Sequence, residues 1–111
     1  MKKVLFICGR NKKRSPTAEE LFSGSAGAEV ASAGTSPDAE NPVTPELLAW
    51  ADVIFVMEKA QKSKLAARFS SALKDKKIVC LNIPDKYAFN DPALISILLA
   101  KAGPYFAKLS P

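Results

Sequence analysis

Residues 4–8 (VLFIC), 52–57 (DVIFVM) and 77–81 (KIVCL) are short apolar runs rich in Val and Ile, and they leave this chain few ways to fold. They are too short for buried helices. Near-continuous hydrophobicity, rather than alternation, is what a strand covered on both faces requires. A fourth run, residues 29–33 (EVASA), is weaker and reads as an edge strand. Helical patterns lie between these runs. Ser15 stands as an N-cap, with Pro16 at the first helical position and Ala18, Leu21 and Phe22 on one face. Thr44, Pro45, Leu47, Leu48 and Trp50 repeat that grammar. Residues 58–69 form a third pattern, with Leu65, Ala66 and Phe69 inward and Lys59, Lys62 and Lys64 outward. A last one opens at Asp91-Pro92 and carries a core stripe of Leu94, Ile95, Leu98 and Leu99. Gly103-Pro104 breaks it before Tyr105-Phe106. Trp50 and Phe55 also read as core. Strands alternating with helices imply right-handed crossovers. The expected fold is therefore α/β: a four-stranded parallel sheet flanked by helices, in a single three-layer domain over residues 1–111. Ligands of such folds lie beyond the carboxyl ends of the strands.

Composition narrows the chemistry. The chain contains no His, which excludes Ser-His-Asp and Cys-His catalysis and any imidazole proton shuttle. Two cysteines cannot supply a four-thiolate metal site, and neither a metal nor a cofactor is expected. With 48% hydrophobic residues in 111, the chain can bury a core without a disulfide or metal staple. No stretch reaches the ~18 apolar residues of a membrane helix. The basic-then-apolar opening stops at Gly9-Arg10, short of the ~7–15 apolar residues of a signal peptide. Together with the wide separation of Cys8 and Cys80, this reads as a cytoplasmic chain with two free thiols and no membrane partner.

The net charge of +5 is unevenly spread. Residues 1–14 hold six cations and no acid, residues 15–58 eight acids and no Lys or Arg, and residues 59–111 ten cations and three acids. A basic start points to an anionic partner, whether a phosphate group, a nucleic acid or an acidic protein. For the lysines at 59, 62, 64, 74, 76 and 77, plain solvation is an equal account.

Chemistry concentrates after the first strand. Cys8 ends it, and Gly9-Arg10-Asn11-Lys12-Lys13-Arg14-Ser15 follow before Pro16. A thiol then sits at the base of a strand-to-helix loop whose backbone N–H groups can turn inward around a dianion. Those amides, the positive end of the helix, Arg14 and the Ser15 hydroxyl each favour thiolate over thiol at Cys8. The result is a nucleophile that works without histidine. The planar fork of Arg14 can hold two oxygens of a phosphoryl group, and phosphoryl transfer needs mostly positioning and positive charge. The competing account makes Cys8 an inert strand cysteine and Ser15 an ordinary cap. A leaving oxygen also needs a proton and a water must then be activated, both within the means of one carboxyl. Asp85 and Asp91, after the last strand, are the candidates, although Asp91-Pro92 also fits a helix start.

Residues 4–19, VLFICGRNKKRSPTAE, resemble the phosphate-binding loop of the low-molecular-weight protein tyrosine phosphatases. The similarity continues through Ser32-Ala33-Gly34-Thr35, residues 51–57 (ADVIFVM) and residues 83–87 (IPDKY). The resemblance implies a phosphotyrosine phosphatase I-like fold and metal-independent hydrolysis of phosphomonoesters. It makes Cys8 the nucleophile that forms a cysteinyl-phosphate and Arg14 the ligand of the phosphoryl oxygens. Asn11 would hold the loop shape, Ser15 would hydrogen-bond the thiolate, and Gly9, Arg10, Lys12 and Lys13 would surround the phosphate. The implied partners are a phosphorylated protein or small phosphate ester, with inorganic phosphate as a loop ligand. The family carries its acid in an Asp-Pro-Tyr-like turn. Asp85 fits that place with Lys86 where Pro is usual and with Tyr87 at the pocket mouth, while Asp91-Pro92 is the later alternative.

The chain also departs from that pattern. It is shorter than the usual domain between Thr35 and Asp52, and Arg10 stands where Gly is common. Lys13 replaces a second cysteine found in many members. The loop is more cationic than phosphotyrosine requires, so a small, highly charged ester or a phosphorylated partner with acidic flanks is as defensible a substrate. Two other functions fit the same scaffold. Arsenate reduction needs resolving thiols, of which Cys80 is the one candidate, against its simpler reading as a buried strand residue. A non-catalytic phosphate- or RNA-binding module would use the later lysines, but with little aromatic interleaving for base stacking, so nucleic acid is not favoured.

Overall fold

Val4, Leu5, Phe6 and Ile7 are all fully buried, which alternation alone could not produce, because their strand lies inside a parallel sheet covered on both faces. The computed structural model describes residues 2–108. The strands are β1 (Lys3–Cys8), β2 (Glu29–Gly34), β3 (Val53–Val56) and β4 (Lys77–Cys80), all parallel in the order β2-β1-β3-β4. The helices are α1 (Arg14–Phe22), α2 (Pro45–Trp50), α3 (Lys59–Arg68), α4 (Ser70–Leu73), α5 (Pro92–Lys101) and α6 (Gly103–Ala107), with a 3₁₀ turn at Ser25–Gly27. The weak run of residues 29–33 is an edge strand, as its sequence predicts.

Alternate residues of each strand serve two cores. Val4, Phe6, Val53, Phe55 and Met57 pack with Ala18 and Phe22 of α1, Leu94 and Leu98 of α5 and Phe106 of α6. Leu5, Ile7, Ile54 and Val56 pack with Leu48 of α2 and Leu65 of α3, with Leu73 of α4 partly buried beside them. The first core is aromatic: Phe6 stacks on Phe55 at 5.1 Å and Phe22 on Phe106 at 4.3 Å. Such pairs contribute about 0.5–1.5 kcal/mol each beyond the area they bury. Among the described residues, no helix is long and apolar enough to cross a membrane.

Several local expectations give way to tertiary packing. Helix α1 begins at Arg14 with Lys13 at its cap position, so Ser15 is not an N-cap but lies in the first turn, its hydroxyl turned into the protein. Ala66 is exposed and Phe69 and Trp50 are only partly buried, because the two-turn α2 and the single-turn α4 cover their side of the sheet incompletely. Leu99 is 50% exposed; α5 turns only Leu94 and Leu98 fully to the sheet. Gly103-Pro104 ends α5 but also opens α6, where Pro is tolerated because the first-turn N–H is unpaired in any helix.

Cys80 is free and partly buried. Ile7 is in register with Val56, and Val56 with Cys80. Two strand spacings, ~10 Å, therefore separate β1 from Cys80. Cys80 also faces the α2–α4 layer whereas Cys8 faces the other. A disulfide needs Cα atoms within about 7 Å and converging Cβ vectors, so the resolving role for Cys80 within one chain is corrected by the sheet geometry.

Candidate active site

Every connection that leaves the carboxyl edge of the sheet contributes to one place. The order β2-β1-β3 reverses direction at β1, and a crevice at that switch point is where open parallel sheets bind ligands. Residues 9–13 leave β1 and fold back over its end. Asn11 adopts φ 58°, a left-handed conformation that Asn tolerates better than most residues, and this turns its backbone N–H toward Cys8. That N–H donates to Cys8 Sγ at 3.2 Å.

A buried chain of side chains holds the loop in this shape. The Asn11 amide donates from Nδ2 to Ser15 Oγ and to Ser32 Oγ, both at 2.9 Å, and Ser32 donates onward to the Glu19 carboxylate. The Ser15 hydroxyl, accepting from Asn11, lies 2.9 Å from Cys8 Sγ and 3.4 Å from the Ala33 carbonyl, so its hydrogen can turn to the sulfur when Cys8 is a thiolate and to the carbonyl when Cys8 is a thiol. The Asn11 N–H donates to the sulfur in either state. The loop backbone is tied down from β2's continuation: Thr35 N–H donates to the Cys8 carbonyl at 3.0 Å, Ser36 N–H to Gly9 at 2.9 Å and Glu40 N–H to Arg10 at 3.2 Å.

Arg14, 4% exposed, approaches from α1. Its Nη1 pairs with Glu58 Oε1 at 2.6 Å and donates to the Ile83 carbonyl at 2.8 Å. Both bonds use one nitrogen, which leaves Nε and Nη2 for a ligand. Glu58 is fixed in turn by a capping box with Gln61 at the start of α3. The carboxylate of Asp85, on the loop after β4, lies 3.8 Å from Arg14 Nε and is 61% exposed. A cavity of about 460 Å³ opens between these groups, lined by Cys8, Arg10, Lys12, Lys13, Arg14 and Asp85.

The two acid candidates are thereby separated. Asp85 faces the cavity, whereas Asp91 caps α5, its carboxylate accepting from the Ala93 N–H at 2.9 Å. Tyr87, expected at the mouth, is corrected: it packs partly buried against the aromatic core, with the Lys86 ammonium 5.6 Å from its ring centre. Gly9 keeps its amide in the loop but does not line the cavity, and Asn11 and Ser15 lie beneath it, buried.

Sequence reading missed Glu58, Glu19 and Thr17. A Glu-x-x-Gln capping box directly after a strand was the available signal for Glu58. Thr17 had none: its buried hydroxyl donates to the Lys13 carbonyl at 2.6 Å and accepts from Asn90 N–H at 2.9 Å, joining the loop to the Asp85 segment. The role of Gly34 is also legible only in three dimensions. A Cβ there would stand 2.6 Å from the Gly9 carbonyl and 3.0 Å from the Asn11 nitrogen, both backbone atoms. Gly34→Ala is therefore expected to push the loop off Cys8 and to cost about 1–3 kcal/mol of stability. Thermal denaturation together with phosphate titration checks this; unchanged anion affinity in the variant contradicts it.

Residues 3–50 match the model of the low molecular weight phosphotyrosine protein phosphatase family. No curated protein sequence matches the chain. Among solved structures, the tyrosine phosphatase Wzb from Escherichia coli K30, in complex with phosphate, is 21% identical with a TM-score of 0.79, over 98% of this chain and 99% of that one. The low molecular weight protein tyrosine phosphatase SP-PTP from Streptococcus pyogenes is 21% identical with a TM-score of 0.79, over 100% and 95%. The arginine phosphatase YwlE from Geobacillus stearothermophilus is 21% identical with a TM-score of 0.69, over 97% of each chain. The fold read from the sequence, a four-stranded parallel sheet flanked by helices, is the fold of these proteins, and the resemblance seen in the loop is shared by the family match.

Proposed function

We propose that this chain, with the low-molecular-weight phosphatase match over residues 3–50 and that fold throughout, is a metal-independent phosphomonoester hydrolase acting through Cys8. One observation carries the reading: the Asn11 N–H points at Cys8 Sγ and the Ser15 hydroxyl lies within hydrogen-bond distance of it, at the floor of a cavity that the buried guanidinium of Arg14 borders. Donors aimed at a sulfur favour its anion, the form that attacks phosphorus. The chain has no His to deprotonate the thiol, so the hydrogen-bond donors around the sulfur take that part.

In the reaction, Cys8 Sγ attacks phosphorus in line as the ester P–O bond breaks. Loop amides and the Nε and Nη2 of Arg14, which make no hydrogen bond to the described residues, hold the three equatorial oxygens and their dispersed charge. Protonated Asp85 gives its proton to the departing oxygen. The resulting carboxylate then takes a proton from water, which cleaves the S–P bond and releases phosphate with the thiolate restored. Asp85 is 61% exposed at the cavity edge, which lets water reach its carboxylate for the second step. The phosphorylated partner is a phosphoprotein or a small phosphate ester; the neighbours of this fold include both tyrosine and arginine phosphatases.

Hydrolysis of an aryl phosphate tests the reading. Turnover is expected to persist in excess chelator and to fall competitively with vanadate and with inorganic phosphate. Complete loss of turnover in chelator, restored by a divalent cation, would overturn it.

A further inference from the structure

We infer that the substrate of this site carries a second anionic group beside its scissile phosphoryl group; this rests on the phosphomonoesterase reading above and specifies what it acts on. The cavity walls motivate it. Of its lining residues, Arg10, Lys12, Lys13 and Arg14 are cationic and Asp85 is acidic, and none is aromatic or aliphatic apart from the Cys8 thiol itself. Sites that hold an aryl group are walled mainly by apolar and aromatic side chains. The nearby aromatic residues do not line the cavity: Tyr87 packs partly buried on the core, Phe89 stands exposed outside the cavity lining, and Trp50 lines a separate hollow with Pro42 and Leu47.

Charge counting points the same way. A phosphoryl dianion on the loop floor is already met by Arg14, the loop amides and the start of α1. Arg10, Lys12 and Lys13 are additional. Among the described residues, none of the three has a carboxylate within ion-pair distance, since both ion pairs found involve Arg14. Glu58, the acid next to the site, is held by Arg14. The loop geometry also sets where the surplus lies. Asn11 is turned inward with φ 58° and buried, so its flanking residues Arg10 and Lys12 are thrown outward and, with Lys13, are exposed at the rim. Three like charges within four residues repel one another, and an anion at the rim relieves that repulsion as it binds. The second group is thus recognised at the mouth, while the first is cleaved at the floor.

The shared chemistry has two sources, an acidic side chain beside a phosphorylated residue or a second phosphate on a small molecule. The full chain is assayed for kcat/KM on two substrate pairs and on an aryl phosphate. One pair is a phosphotyrosyl peptide flanked by Asp and Glu against the same peptide with Asn and Gln. The other is a sugar bisphosphate against its monophosphate. At low ionic strength the more anionic member is expected to be preferred about tenfold in at least one pair, beyond the statistical factor of two cleavable groups for the bisphosphate. The preference is expected to shrink in ~1 M salt, where the screening length falls to about 3 Å. It should also collapse toward equality in the R10Q/K12Q/K13Q variant, whatever happens to the absolute rates. Preference within the peptides alone assigns the second anion to a protein; preference within the sugars alone assigns it to a small molecule. Equal kcat/KM within both pairs, with the aryl phosphate still hydrolysed, overturns this inference and leaves the phosphatase reading standing. Failure to cleave any of the five substrates overturns both.

Discussion

Cys8→Ser is expected to lower turnover of an aryl phosphate by roughly four orders of magnitude or more, while vanadate or phosphate still binds. The two halves of this outcome have separate causes. Replacing sulfur by oxygen removes the nucleophile, because an alcohol needs a base to be activated and the chain has no His to serve as one. It leaves the anion cradle intact, because the cradle is built from the Asn11 conformation, the backbone ties to Thr35 and Ser36, and Arg14 held by Glu58 and the Ile83 carbonyl. Steady-state kinetics with calorimetric titration of vanadate separates them. Substantial residual hydrolysis in the Ser variant would sink the covalent mechanism, whereas loss of binding together with activity would show that the sulfur shapes the loop as well as attacking from it.

The second large effect concerns the proton. Asp85→Asn is expected to lower kcat by about 10²–10⁴, the usual contribution of general acid–base catalysis. Asp91→Asn should change kcat little and stability by only a few tenths of a kcal/mol, because Asn caps a helix about as well as Asp and the Ala93 N–H keeps an acceptor. A substrate with a very good leaving group should be less affected by Asp85→Asn, since its departing oxygen needs less protonation. The reverse order, with Asp91→Asn the slower enzyme, would move the acid to the α5 cap and require that loop to rearrange.

Much of the site was legible in the chain because it is local. Cys8, Arg14 and Ser15 fall within one strand-to-helix connection, and their spacing alone brings them around a common point once β1 and α1 form. The same locality misled the reading of Ser15. Its residue type before Pro16 suits a cap, but the loop's demand for a hydroxyl under Cys8 draws it into the helix and leaves Lys13 at the end. Asp85 could be preferred over Asp91 only by likeness and position. What separates them is long-range: one carboxylate stands beside Arg14, some seventy residues earlier in sequence, and the other is consumed by its own helix. Tyr87 failed as a wall residue for a related reason. A partly apolar ring two residues from an exposed Asp goes where apolar area is covered, and the aromatic core lies just beneath.

The amino-acid sequence by itself determined the alternation of strands and helices, the parallel sheet it entails, and the placing of a thiol, a guanidinium and a run of amides in one turn. These follow from hydrophobic period and from neighbours along the chain. Tertiary structure alone decided the partners that arrive from elsewhere: Glu58 on Arg14, Ser32 under Asn11, Gly34 against the loop backbone, Asp85 over the cavity, and Cys80 turned to the opposite face from Cys8. The physical reason is that strand order, and not sequence distance, sets which loops meet at the carboxyl edge, and contacts worth only a few kcal/mol among them choose the side chains that face the sulfur.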